Sequence, residues 1–232
     1  MKIKKAVFVI SDVIIVIVLT LLAIVGFSTR TVESVSVMEP IYRGKEDSKK
    51  VSLMINVYWG TEYLEPMLDV FKRYEVTTTF FVGGCWADDN NALLKTIINN
   101  GHEIGNHGYF HKDHSALSYQ KNVDEIINCH KLVNAVTGVT MTLFAPPSGA
   151  VGKETYKACA DNNYKVILWS RDTIDWRDKN KDIIVKRATE NIKGGELVLM
   201  HPTKDTLLAL PEILENIKKT GLTVTTVSDV LG

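Results

Sequence analysis

From residue 51 onward, short apolar runs alternate with stretches in which apolar residues recur every three or four positions. Residues 51–57 (VSLMINV) read as a strand, and residues 63–74 carry Leu64, Met67, Leu68 and Phe71 on one helical stripe. Residues 76–82 are β-branched and aromatic, the composition of a buried strand. A helix over 91–100 stops at Gly101, and 102–106 is a short strand. Ser118 can cap a long helix to residue 136, with Val123, Ile126, Ile127, His130 and Val133 on its inner face. Strands follow at 141–144, 164–169, 196–200 and 222–227, separated by helices at 153–162, 183–192 and 207–220. Such alternation predicts an α/β fold with a parallel sheet and right-handed crossovers. Seven strand units at this spacing predict a distorted (β/α) barrel, with its chemistry at the C-terminal ends of the strands. Polar clusters fall at five of those ends: Tyr58-Trp59-Gly60, His107 and His111, Ala145-Pro146-Pro147-Ser148-Gly149, Asp172 to Trp176, and His201.

The first 27 residues break this pattern. Lys2, Lys4 and Lys5 form a cationic patch, and residues 6–27 are then apolar except for Ser11, Asp12 and Thr20. That length spans a bilayer as a helix. Val25-Gly26-Phe27-Ser28 offers no small-x-small cleavage site, which favours an uncleaved anchor over a removed signal peptide. The predicted organisation is a cytoplasmic tip and transmembrane signal anchor over 1–27, a spacer over 28–49 with a short strand at Pro40-Ile41-Tyr42, and one domain over 50–232. The lysines stay inside and the domain is extracytoplasmic, on a single-pass protein of the cell membrane.

Net charge is zero and the pI about 7.0, with no basic stripe, so nucleic acid is not an expected partner. Cys85, Cys129 and Cys159 form neither a Cys-x2-Cys pair nor an even disulfide set, and read as small buried hydrophobes. Nothing in the sequence calls for more than a monomer.

Candidate chemistry centres on Gly101-His102-Glu103-Ile104-Gly105-Asn106-His107-Gly108-Tyr109-Phe110-His111. Two imidazoles four residues apart can reach one metal ion, and imidazole suits zinc. With Thr79-Phe80-Phe81-Val82, Phe144-Ala145-Pro146-Pro147-Ser148-Gly149, Leu168-Trp169, Asp172, Asp175-Trp176 and Leu197-Val198-Leu199-Met200-His201, this segment resembles the polysaccharide deacetylases, the NodB-type carbohydrate esterases. Asn56-Val57-Tyr58-Trp59-Gly60 is similar to the membrane-anchored, sporulation-associated branch of that family. The resemblance implies a hydrolase that removes acetyl groups from N-acetylated cell-wall sugars, in peptidoglycan or a chitin-like polymer, by cleaving their carbon–nitrogen amide bonds.

It further implies a divalent metal, usually zinc, held by His107 and His111. His201 would be the catalytic acid, oriented by Asp175, with Asp172 able to share that role. Tyr58, Trp59, Pro147, Ser148, Trp176 and Leu199 would meet the glycan. Two motifs depart from the family. Tyr58 and Trp59 stand where it has two consecutive aspartates, the water-activating base and a metal ligand, and Ala145 stands where it has an arginine. The losses are coherent, because an arginine without its partner carboxylate would be an unpaired charge near the cleft.

Two readings follow. In one, the chain is a weak or altered metal-dependent deacetylase, with Glu62, Asn56 or Asp172 replacing the missing oxygen ligand. In the other, it is a catalytically inactive, membrane-tethered glycan-binding protein, with zinc held at low affinity or absent and Tyr58 and Trp59 stacking on sugar faces. Elsewhere, His102 is expected to pack beside its strand, His130 to sit at the core edge, His114 to be solvated and Trp169 to belong to the core.

Overall fold

The computed structural model describes residues 39–232, together with residues 16–18 and 20, which are helical. The remainder of the predicted anchor and the spacer up to residue 38 lie outside the described residues. Among the described residues no helix is long and apolar enough to cross a membrane.

From Pro40 onward the chain builds one curled, all-parallel sheet, a half-barrel with helices packed on its outside. The strands are β1 (Lys50–Val57), β2 (Thr79–Val82), β3 (Glu103–Asn106), β4 (Leu143–Phe144), β5 (Lys165–Val166), β6 (Arg171–Asp172), β7 (Leu197–Met200) and β8 (Thr223–Val224). Their order is β5-β4-β3-β2-β1-β7-β6, and β8 pairs with the start of β1, Lys50 with Thr223 and Val51 with Val224. Seven of these match the predicted strands. The extra one, β6, pairs Arg171 with Val198 and Asp172 with Leu199, in a segment whose polar sequence hides its strand character.

The period of two sorts each strand into two faces. Val51, Leu53, Ile55 and Val57 of β1, Phe80 and Val82 of β2, and Val198 and Met200 of β7 pack outward against the helices. Met54, Phe81, Leu143, Ala145, Ile167 and Leu197 fill the concave interior. Gly105 belongs to that inner face, where a Cβ would stand 2.3 Å from the Phe81 ring; only glycine leaves the aromatic room. The segment predicted as a short strand at Pro40–Tyr42 docks on the domain: Ile41 N–H donates to the Val166 carbonyl and Leu168 N–H to the Ile41 carbonyl, both at 2.8 Å.

The outer helices run Thr61–Arg73, Gly84–Asp89, Asn91–Asn99, Tyr119–Thr137, Lys153–Asp161, Lys181–Thr189 and Lys204–Lys219, whereas the last helix, Val227–Leu231, packs Val227 and Val230 on the interior cluster. Gly84–Asp89 and Val227–Leu231 are too short to show a helical stripe in sequence. The expected Ser118 cap accepts from Lys121 N. The inner face of that helix is turned from the predicted one: Asn122, Glu125, Ile126, Cys129 and Val133 are buried, while Val123 and Ile127 are only partly so.

Candidate active site

The inner column of β1 continues past Met54 through Asn56 to Tyr58, and Trp59 then turns onto the rim, 44% exposed. Gly60 makes that turn at φ +77°, and a Cβ there would lie 2.0 Å from the Pro202 carbonyl oxygen. The inner columns of β3 and β7 end likewise on His107 and His201. These columns converge on a cavity of about 300 Å³ lined by Asn56, Tyr58, Trp59, His107, His111, Ser148, Trp169, Asp172, Trp176, Leu199 and His201.

His107 is 2% exposed, and its Nδ1 lies 2.7 Å from the Ala145 carbonyl oxygen. A carbonyl only accepts, so Nδ1 carries the proton and Nε2 is left bare. Burial pushes this imidazole down to about 3, with the nearby His111 acting in the same direction. His111 adopts φ +54°, and burial lowers its pKa too. The two rings stand 5.0 Å apart at 68°.

The turn between them is braced from below. Asn106 Oδ1 accepts from Gly108 N at 2.9 Å, and Glu125 Oε2 accepts from Tyr109 N and Phe110 N at 2.9 and 2.8 Å. Neither brace was legible beforehand. Asn106 closes the short strand β3 with nothing in its neighbours to mark a bracing role, and Glu125 lies off the predicted helical stripe.

At the opposite wall, Asp175 is 1% exposed and holds His201 twice: Oδ2 accepts from the His201 backbone N–H at 2.6 Å, and Oδ1 from Nδ1–H at 2.8 Å. Thr206 Oγ1 donates to Oδ2 at 2.6 Å. The dyad expected from the sequence is intact, with His201 Nε2 left free. Asp172 does not share in it. Its Oδ1 accepts from Ile174 N at 2.8 Å, closing a turn, although the residue does line the cavity.

Ser148 is exposed at φ +55° on the cavity edge; Trp176, 54% exposed, and Leu199 line the cavity, whereas Pro147 is buried and does not. Glu62 is exposed on a separate depression with Thr61, Glu65 and Asp89, and so is not placed to replace a ligand. Trp169, expected in the core, forms part of the cavity wall while also packing on the interior cluster. His114, expected in solvent, is fully buried with Nδ1 2.7 Å from Asn122 Oδ1. His102 behaves as expected: it is buried edge-on to Phe71 and Phe80, and its Nδ1 accepts from Thr78 N at 3.1 Å. His130, at the core edge, pairs with the Tyr164 hydroxyl.

The aromatic residues at the aspartate positions occupy the imidazoles. Tyr58 stacks on His111 at 4.7 Å and 29°, and Trp59 lies nearly parallel to His201 at 5.8 Å and 7°. Among the described residues no group of three or more His, Cys, Asp and Glu side chains converges to hold a metal ion. Catalytic zinc takes three protein ligands plus water. With two imidazoles, one of them under a phenol ring, the donor set does not fit such a centre.

A family model for polysaccharide deacetylase matches residues 43–167. The chain is 33% identical over 175 residues to a peptidoglycan-N-acetylglucosamine deacetylase of Bacillus cereus, a match covering 73% of this chain and 82% of that protein. The chain therefore belongs to the polysaccharide deacetylase family. It is also 37% identical over 193 residues to the uncharacterized protein YlxY of Bacillus subtilis, covering 83% of this chain but only 60% of that relative's length. Among solved structures it is similar to BA3943 of Bacillus anthracis, described as a CE4 family pseudoenzyme, with a TM-score of 0.82 and 36% identity over 84% of this chain and 69% of that one. A mutant of that protein, described as having restored enzymatic activity, superposes equally well, with a TM-score of 0.82.

Proposed function

We propose that this chain is a cell-wall glycan-binding protein built on a deacetylase scaffold, whose site no longer carries out metal-dependent amide hydrolysis. The observation that carries this reading is the double stack, Tyr58 on His111 and Trp59 on His201, where the family has its two carboxylates. With Trp169 and Trp176 these rings give the cavity four aromatic walls, suited to the flat apolar faces of sugar rings. The likeness to BA3943, and the existence of a reactivated mutant of it, support a scaffold that outlived its chemistry. An N-acetylated glycan such as peptidoglycan is the partner, and the protein binds it as a monomer.

Binding of an N-acetylglucosamine oligomer to the full chain, followed by tryptophan fluorescence, tests this. Trp59→Ala is expected to weaken binding about 5- to 100-fold, the range for losing one stacking aromatic. Equal affinity in parent and variant, or no binding by the parent, would sink the reading. The intact His201–Asp175 pair favours a second reading, residual deacetylation: an imidazole positioned by a buried carboxylate is equipped to donate a proton to a leaving amine.

The N-terminal 27 residues would anchor this domain at the outer face of the cell membrane. The lysine patch, the apolar run and the poor cleavage site support this. The protein in the membrane fraction is expected to begin at Met1, and a form starting near Ser28 in the medium would refute the anchor.

A further inference from the structure

The path of paired strands ends at β5 on one side and at β6, beside β7, on the other. Residues 40–44 form a strap across these two ends. Ile41 pairs in parallel with Ile167, just past β5, and Arg43 pairs antiparallel with Glu196, just before β7. Gly44 N–H adds a bond to the Gly195 carbonyl at 2.7 Å, and the Ile41 side chain packs on the interior cluster. Arg43 extends the bridge by charge. Its Nη2 lies 3.6 Å from Glu196 Oε1. Glu196 is 7% exposed, and its Oε2 also accepts from Arg171 Nε of β6 and, at 3.2 Å, from Lys193 N. A carboxylate this deeply buried depends on its partners.

These ties converge on one stretch of the cavity wall. Leu168 N–H donates to the Ile41 carbonyl, Ser170 N–H to the Leu197 carbonyl at 3.0 Å, and Arg171 to Glu196. Trp169, between the first two ties, and Asp172, directly after the last, both line the cavity. We infer that the strap positions this wall, with Arg43 as the positioning residue that fixes the strap to the foot of β7 and so holds Trp169 where a sugar face meets it. This rests on the glycan-binding reading and adds what keeps one side of the site in place. Neither Ile41 nor Arg43 lines the cavity, so a substitution there removes no ligand contact. With the strap loosened, the stretch from Leu168 to Asp172 is tied on the β7 side alone. Trp169 then has more freedom for the ligand to remove on binding, which weakens affinity.

The experiment labels the full chain with fluorotryptophan and follows its four tryptophans by fluorine NMR, with Trp169 assigned through Trp169→Phe. Arg43→Ala is expected to shift or broaden the Trp169 resonance and to leave unmoved that of Trp86, which is buried in the outer cluster. The same variant is expected to weaken binding of the N-acetylglucosamine tetramer about 2- to 30-fold, the range for residues that modulate a site without touching its ligand. Arg43→Lys is expected to restore both readouts, because the pairing with Glu196 is a single contact rather than a guanidinium fork. Ile41→Pro removes the N–H donated to Val166 and is expected to act in the same direction as Arg43→Ala from the other side of the strap. An unmoved Trp169 resonance in either Arg43→Ala or Ile41→Pro overturns the inference. A moved resonance with parent-like affinity overturns it as well and leaves glycan binding standing. A parent that binds no tetramer overturns the glycan reading, and the Trp169 resonance still decides whether the strap sets this wall.

Discussion

Changing Tyr58 and Trp59 to aspartate together with Ala145 to arginine is expected to raise zinc-dependent acetate release from N-acetylglucosamine oligomers at least about tenfold over the parent; acid–base help is commonly worth about 10²–10⁴-fold. The argument is one of donors and charge. His107 and His111 supply two nitrogens, and a phenol and an indole cannot replace carboxylates, since Tyr ionises near pH 10 and Trp only donates. The same substitutions lift the aromatic rings off His111 and His201, so the imidazoles regain their free faces. The three changes are expected to be strongly non-additive. Ala145 is fully buried, and Ala145→Arg alone would bury a guanidinium with no partner. Tyr58→Asp alone would place a carboxylate there with nothing to hold it. Adding His201→Ala should erase the gain, because the Asp175-held imidazole is the proton donor left in the site. A parent already as fast as the rebuilt variant would mean that the chain has another base.

Folding stability is expected to fall as pH drops from 7 to 5, and His102 accounts for about 2 kcal/mol of that loss. Burial lowers this imidazole from 6.5 to about 4 in the folded chain. It therefore stays neutral where the unfolded chain already binds a proton. The sign follows: stability is full above pH 6.5 and drains away as pH falls toward 4, because protons favour the unfolded state. His114, also lowered mainly by its burial, pulls in the same direction. Urea midpoints at several pH values measure the slope. His102→Asn keeps an acceptor for Thr78 N–H and removes the titrating group, so its slope should be flatter by up to one proton. An unchanged slope in that variant would show that His102 does not carry the effect.

The alternation of apolar runs and stripes determined the fold class, because the central parallel strands β1, β2 and β7, buried on both faces, leave near-continuous apolar segments that sequence displays directly. It also placed Tyr58, Trp59, His107, His111 and His201 at strand ends, and the loss of both aspartates needs no coordinates to be seen. Only the tertiary structure decided what those residues do to one another. Which carboxylate holds His201 depended on two residues three positions apart, and the turn at Asp172 bonded to its own backbone while Asp175 reached the histidine. The inner face of the Tyr119–Thr137 helix was misread because Asn122 and Glu125 are buried for their hydrogen bonds rather than their hydrophobicity, a use that hydrophobic periodicity does not register. The same blindness placed His114 in solvent, and it hid Asn56, a polar residue inside an apolar strand that becomes a cavity wall only when the sheet brings β1, β3 and β7 together.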